Sequence, residues 1–71
     1  MNGQEYKIKG WVARDLDGQL CLFQDEKPIK EKKYWMSNGS IGKWMYIDSK
    51  TFHELTWEDE PIEVELTIKK I

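Results

Sequence analysis

The sequence is poor in the residues that build disulfide frameworks, metal centres and nucleophilic active sites. Its 71 residues include one cysteine, Cys21, and one histidine, His53. A lone cysteine forms no internal disulfide and cannot build a zinc site by itself. Nucleophilic catalysis needs a histidine beside a serine or cysteine, with an orienting acid, whereas the nearby Ser49 is only an ordinary helical neighbour of His53. We therefore expect no disulfide, no metal centre and no catalytic residues.

Long apolar runs are also absent. No stretch approaches the length of about 18 apolar residues that marks a membrane-spanning helix. The first five residues lack the charged segment followed by an apolar run that is typical of a secretory signal. Together with the single cysteine, these absences lead us to expect a cytoplasmic protein with no membrane partner.

The composition is that of one small folded domain. Hydrophobic residues make up 39% and charged residues 34% of the chain, and the formal net charge is −2. This balance is too apolar and too aromatic for a disordered segment. Because 71 residues leave room for one core, we expect a single β domain over residues 1–71, with residues 1–4 flexible.

Alternation of apolar and polar residues, interrupted by turn residues, predicts an all-β fold. Strands are predicted at residues 6–13, 20–23, 31–36, 43–47 and 62–69, with a hairpin turn at 37–40. In the last strand, the row of Ile62, Val64, Leu66 and Ile68 is expected to point inward. Residues 49–55 predict one short helical turn before that strand, with Phe52 and Leu55 pointing inward.

This order of elements predicts a small five-stranded antiparallel barrel or strongly bent sheet. The order resembles that of an SH3-like barrel, although the acidic and aromatic signature stretch of true SH3 domains is missing. A two-layer antiparallel sheet with a short helix packed on it remains an alternative.

The first hairpin allows two registers. A two-residue turn at 17–18 pairs Leu16 with Gln19, whereas a three-residue loop at 16–18 pairs Asp15 with Gln19. The second register needs Gly18 in a left-handed conformation. It groups aliphatic side chains on one face of the sheet and Trp11 with Phe23 on the other, so we favour it.

Two groups of acidic residues resemble functional sites, but each lacks features that such a site requires. Residues 15–18 resemble part of a calcium loop, but Ala13 and Gln24 stand where its first and last carboxylate ligands belong. The carboxylates of residues 54–65 would need an apolar cleft to act as an acid and base pair. We interpret the first as a turn and the second as a solvated face, and predict a protein that is not an enzyme and binds no cofactor.

The aromatic residues point to a binding surface. Four Trp, three Tyr and two Phe exceed what so small an interior holds beside its aliphatic side chains. Rings that remain at the surface are typical of protein-binding hot spots. The candidate surface comprises Trp11, Phe23, Tyr34, Trp35, Trp44 and Tyr46. We predict a protein-protein interaction module, monomeric or weakly homodimeric, with an unidentified protein partner; the alternative that the rings only extend a thin core stays open.

Lysines beside aromatic rings suggest a second candidate function. Lys30, Lys32 and Lys33 precede Trp35, and this combination is typical of weak single-stranded nucleic-acid binding. The sequence pI of about 5.3 argues against it, since nucleic-acid binders carry a dominant basic footprint. Lysines also protect exposed edge strands. We therefore rank nucleic acid below protein as the partner.

Several stretches together resemble known small proteins. They are GWVARD at 10–15, DGQLCLF at 17–23, KPI at 27–29 and WEDEPIEVEL at 57–66. They resemble small uncharacterised proteins of gut bacteria and their prophages or other mobile elements. The resemblance implies a cytoplasmic accessory protein of phage or mobile-element origin, and it implies no activity, cofactor or site residue.

Overall fold

The computed structural model describes residues 3–38 and 43–71, and the fold is all-β. The described strands are β1 Glu5–Arg14, β2 Leu20–Gln24, β3 Ile29–Lys30, β4 Trp35–Met36, β5 Trp44–Ile47 and β6 Ile62–Lys69. One antiparallel sheet has the order β5-β2-β1-β6, and β3 pairs with β4 in a second sheet. Within the described residues there is no helix long and apolar enough to cross a membrane.

The favoured register of the first hairpin is confirmed. Trp11 lies opposite Phe23 across β1 and β2. The N–H of Asp15 donates to the carbonyl of Gln19 at 2.8 Å. Gly18 has a φ of 97°, the left-handed conformation that the three-residue loop requires. The register was predictable because it depends on a local loop and on the alternation of the flanking residues.

Each face of the four-stranded sheet carries its own small core. On the aliphatic face, Val12, Leu20 and Leu55 are buried, and Leu22, Ile47, Phe52, Ile62 and Val64 pack against them. On the aromatic face, Ala13, Cys21, Phe23 and Trp35 are buried, and Trp11 and Trp57 pack against them. Because successive residues of a strand point to opposite faces, β1 and β2 contribute to both cores.

Arg14 holds the segment 48–55 against the end of the aliphatic face. Its guanidinium donates to five backbone carbonyls at 2.6–3.1 Å, those of Leu55, Gly18, Ser49, Thr51 and Phe52. A guanidinium has five N–H donors, so its full donor capacity is used. One side chain of β1 thereby fixes a long connection that has no regular secondary structure.

The predicted helical turn at 49–55 is not found among the described residues. The chain forms successive turns instead, in which Thr51 N–H donates to the carbonyl of Asp48 and Leu55 N–H to that of Phe52. Phe52 has a φ of 49°, outside the right-handed helical region. Arg14 bonds carbonyls that a helix would pair internally. Phe52 and Leu55 still contact the aliphatic core, as predicted.

The predicted third strand at 31–36 is wrong in its extent. Glu31 N–H donates to the carbonyl of Tyr34 at 2.8 Å and closes a tight turn. This turn pairs β3 with β4, so Ile29 lies opposite Met36 and Lys30 opposite Trp35. Within the described residues β5 pairs with β2 and not with β4, so the expected pairing of the third and fourth predicted strands is not found there. Residues 39 and 40 of the predicted turn, and residues 1 and 2 of the predicted flexible terminus, lie outside the described residues.

The last strand points inward only in part. Ile62 and Val64 pack against the aliphatic core, as predicted. Ile68 is 61% exposed, so the predicted inward position is wrong for this residue. The reason is that segment 48–55 covers the end of the sheet near Arg14, whereas Ile68 lies opposite Tyr6 at the other end.

The four-stranded sheet is open within the described residues, with β5 and β6 as its two edges. A closed barrel would require these edges to pair. The antiparallel all-β prediction is therefore confirmed, and the SH3-like arrangement stays a prediction.

Candidate functional site

A cleft of about 470 Å³ opens on the aromatic face. Its lining residues are Asp15, Cys21, Tyr34, Trp35, Met36, Ser37, Trp44 and Tyr46. β5 contributes Trp44 and Tyr46, which lie opposite Phe23 and Cys21 of β2 and therefore share their face. The turn before β4 contributes Tyr34. We call this site the aromatic cleft.

Asp15 is the buried acid of the aromatic cleft, with 7% of its surface exposed. Its Oδ1 accepts the backbone N–H of Trp35 at 2.8 Å. Its Oδ2 accepts the Sγ–H of Cys21 at 3.5 Å. No lysine or arginine of the described residues forms an ion pair with it. A buried carboxylate held by neutral donors alone is an unusual arrangement, because buried charges are normally paired.

Cys21 lies beside this carboxylate and is chemically quiet. Burial is the largest of the effects that raise the pKa of its thiol from 9.0 to about 12, and the neighbouring Asp15 contributes in the same direction. The thiol is therefore protonated near neutral pH and serves as a hydrogen-bond donor. A buried thiol of this kind is not a nucleophile.

Three half-exposed rings form the rim of the aromatic cleft: Tyr34, Trp44 and Tyr46. Trp44 and Tyr46 meet edge to face, with ring centroids 5.1 Å apart. Trp44 also stacks on Phe23 at 6.3 Å, which supports the exposed indole from below. Each ring of β5 is thus held in place by another ring, and rigid rings lose little entropy on binding.

The structure does not bring all six predicted surface aromatics to the surface. Phe23 is 1% and Trp35 is 6% exposed, so both are core residues and the prediction is wrong for them. Trp35 is fixed from two sides, since its Nε1–H donates to the carbonyl of Arg14 at 3.0 Å and its ring meets Trp57 at 6.0 Å. Phe23 is covered by Trp44. Neither burial is visible in the local sequence.

Trp11 lies on the aromatic face outside the cleft lining. It is half buried, and its Nε1–H donates to the carbonyl of Asp25 at 3.3 Å. The ammonium groups of Lys9 and Lys27 lie 5.7 and 6.0 Å from its ring. Trp11 therefore contacts cations of its own chain, and it is not among the residues that line the aromatic cleft.

Lys30, one of the lysines predicted to bind nucleic acid, contacts aromatic rings of its own chain. The ammonium of Lys30 lies 4.2 Å from the ring centroid of Trp57 and 5.6 Å from that of Trp35. Lys32 and Lys33 are exposed. Base stacking needs an open ring face, and the buried Trp35 offers none.

Among the described residues, no group of three His, Cys, Asp or Glu side chains is placed to hold a metal ion. The His53 side chain is exposed, and its Nδ1 lies 3.9 Å from Glu54. That the protein is not an enzyme stays a prediction.

Arg14 and Asp15 are the two residues whose roles sequence reasoning missed. Arg14 is the only arginine beside ten lysines, which is a signal, because only a guanidinium offers a rigid fork of donors. For Asp15 the signal is its odd number, because alternate residues of β1 share one face of the sheet. In the confirmed register it shares a face with Trp11 and Ala13, so it belongs with the aromatic core rather than with a solvated turn.

A second apolar surface lies on the aliphatic face. A groove of about 320 Å³ is lined mainly by Ile8, Leu22, Met45, Leu66 and Ile68. It occupies the part of the sheet that segment 48–55 does not cover. Unlike the aromatic cleft, it contains no buried acid.

No family model, curated protein or solved structure matches the chain. The resemblance to small proteins of gut bacteria and their prophages therefore stays a prediction, and the site is interpreted from its own geometry.

Proposed function

We propose that this protein is a protein-interaction module whose aromatic cleft receives a basic side chain of its partner. The observation that carries the proposal is the combination of Asp15, buried with no cation beside it among the described residues, and three exposed rings around it. A lysine or arginine that entered the cleft would supply the missing positive charge.

The chemistry of the rim suits such a ligand. A cation above a tryptophan or tyrosine ring gains about 0.5–2 kcal/mol, with the higher value where water is excluded. Trp44 and Tyr46 are preorganised by their mutual contact and by Phe23. The methylene stem of a lysine or arginine would pack on the same rings while its charged end approaches Asp15.

Nucleic acid suits the site less well. Phosphates are repelled by the carboxylate of Asp15, and Trp35 is too buried to stack on a base. Lys32 and Lys33 are exposed, so a single-stranded nucleic acid would contact these two lysines through its phosphates. Titration with mixed-sequence oligonucleotides at low and moderate salt distinguishes the two functions, since phosphate contacts weaken steeply as salt rises.

Selection from a random peptide library on the purified protein tests the proposal. We expect the selected peptides to contain lysine or arginine with apolar neighbours. Trp44→Ala and Tyr46→Ala should each weaken their binding about tenfold, in line with hot-spot aromatic residues. Tyr6→Ala is the matched control, because Tyr6 is at least as exposed as Trp44 and Tyr46 but lies on the aliphatic face.

Asp15→Asn tests the charge separately from the shape. The amide retains an oxygen that accepts the N–H of Trp35, so we expect the fold to persist. Binding of basic peptides should fall, whereas binding of neutral apolar peptides should not. Selected peptides without positive charge, or equal binding by the Trp44→Ala and Tyr6→Ala proteins, would contradict the proposal.

We also propose, on the sequence resemblance and element order alone, a cytoplasmic accessory role of phage or mobile-element origin and an SH3-like arrangement. A closed barrel predicts nuclear Overhauser contacts between β5 and β6 of one chain, and such contacts would leave β6 no free edge for another strand, whereas a strongly bent open sheet keeps that edge. The absence of these contacts from an assigned NMR spectrum would remove the SH3-like part of this proposal.

A further inference from the structure

The strand β6 leaves one edge of the sheet open within the described residues. It runs for eight residues and pairs on one side only, with β1. Edge strands are commonly protected by a proline, a bulge or an inward-pointing charge. The pairing of β6 with β1 is continuous, so the strand has no bulge. Its side chains on the aliphatic face carry no charge, and its one lysine, Lys69, is the last residue of the strand. β6 therefore has no proline, bulge or inward-pointing charge that would block another strand, and its charged residues, Glu63, Glu65 and Lys69, are of both signs.

Hydrogen bonds of the sheet show which backbone groups of β6 point outward. Lys70 N–H donates to the carbonyl of Gln4 at 3.0 Å, so even-numbered residues of this strand face β1. Asp25 N–H donates to the carbonyl of Lys9, which turns odd-numbered residues of β1 toward β2 and agrees with this assignment. Antiparallel strands alternate between the two sides. The outward N–H and C=O groups are therefore those of Glu63, Glu65, Thr67 and Lys69.

We infer that β6 pairs with β6 of a second copy of this chain, antiparallel, about a two-fold axis perpendicular to the sheet at Leu66. A two-fold axis in this direction keeps the aliphatic faces of both copies on one side. Residues that face each other must then both be odd or both be even. With Leu66 opposite Leu66, the outward residues of one copy meet the outward residues of the other.

Charge complementarity selects this register. Glu63 of one copy lies opposite Lys69 of the other, and symmetry repeats the pair. A register centred on Glu65 would instead place two carboxylates face to face and set Lys69 opposite Pro61, which has no N–H to donate. A register centred on Thr67 would move Glu63 beyond the end of the opposite strand. Only the Leu66 register pairs every outward group and satisfies the charges at both ends.

Burial of apolar side chains also favours the register centred on Leu66. In this register Val64 of one copy lies opposite Ile68 of the other, on the aliphatic face. Ile68 is the exposed end of the row that the single chain leaves uncovered. Glu63 already contacts Lys9 through Oε2 at 2.8 Å, which leaves its second oxygen for Lys69 of the other copy.

Single-cysteine variants read the register directly. The two Leu66 residues would form a pair without mutual backbone hydrogen bonds, with Cα atoms about 4.5 Å apart, within the range of a disulfide. The two Ile68 residues would lie about 13 Å apart along the strands, beyond that range. With Cys21→Ala as background, Leu66→Cys should form at least about tenfold more disulfide dimer than Ile68→Cys under mild oxidation. Glu65→Cys and Thr67→Cys test the neighbouring registers.

Sedimentation equilibrium of the otherwise native chain provides the second measurement. We expect concentration-dependent dimers, and we expect Thr67→Pro to abolish them, because it removes an outward N–H that β1 does not use. Circular dichroism checks that the variant stays folded. Preferential crosslinking at residue 65, 67 or 68 would overturn the register. A chain that stays monomeric up to about 1 mM would overturn the proposal.

Discussion

Replacement of Arg14 is the most informative perturbation of this fold. Its guanidinium joins β1 to segment 48–55, and three of its five hydrogen bonds are partly buried, those to Leu55, Gly18 and Phe52. Net stabilisation is about 1 kcal/mol for each such bond. We therefore expect Arg14→Met, which keeps an apolar stem but has no donors, to lower the free energy of unfolding by about 3 kcal/mol.

This loss is large for a domain of 71 residues, whose total stability is expected at about 4–10 kcal/mol. Urea unfolding followed by tryptophan fluorescence measures it, with a midpoint shift of about 2–3 M for a small m-value near 1 kcal/mol per M. Arg14→Lys keeps the charge but not the fork of donors, so we expect a loss of about 1–2 kcal/mol. Lys7→Met is the matched control on the same strand, since Lys7 is exposed and its pairing with Glu5 at 3.6 Å contributes little.

Hydrogen exchange adds a local readout. The amide of Leu55 donates to Phe52 within the segment that Arg14 holds, so its protection should fall in Arg14→Met more than that of Cys21 in the sheet centre. An Arg14→Met protein with the native midpoint and native protection at Leu55 would refute the assigned role. Arg14→Lys equal to wild type would show that charge alone is sufficient.

Three further outcomes follow from burial and ionisation. Leu20→Ala should cost about 2–5 kcal/mol in urea unfolding, because Leu20 is fully buried. Ile68→Ala should cost about 0.5 kcal/mol or less in dilute solution, and equal costs would contradict the described packing. Since the pKa of Cys21 is 9.0 unfolded and about 12 folded, the unfolded chain releases its thiol proton first and stability falls as pH rises through this interval. Cys21→Ala should reduce this fall in the free energy of unfolding by up to about 1.4 kcal/mol per pH unit. Urea unfolding at pH 8 and 10 measures the difference. A variant with the same pH dependence as the native chain would exclude the raised pKa.

The features that the sequence predicts correctly are local. The loop with left-handed Gly18 sets the first hairpin, and alternation assigns Trp11 to the face away from the aliphatic residues. Both depend on neighbours within a few positions. The depth of Phe23 and Trp35 does not, because each is covered by an element that is distant in sequence. Counting rings correctly indicated a surplus, but could not show which rings are covered.

Bonds between side chains and distant backbone explain the remaining errors. Arg14 reaches carbonyls that lie 35 to 41 positions later in the chain, and such bonds leave no periodic pattern in the sequence. Segment 48–55 shows only a gap in the alternation, which suits a helical turn as well as an irregular loop. The choice is made by the guanidinium, which uses the carbonyls that a helix would need.

The two proposed surfaces do not compete for the same part of the molecule. The sheet order places β5, with Trp44 and Tyr46, and β6 at opposite edges. Pairing through β6 would therefore extend the sheet to eight strands and leave the β5 edge of each copy at its outer margin. Seven inter-strand spacings of about 4.8 Å then separate the two outer strands by about 34 Å. A partner engages both aromatic clefts at once only if its basic segments span this distance, and a shorter one gains nothing from the dimer.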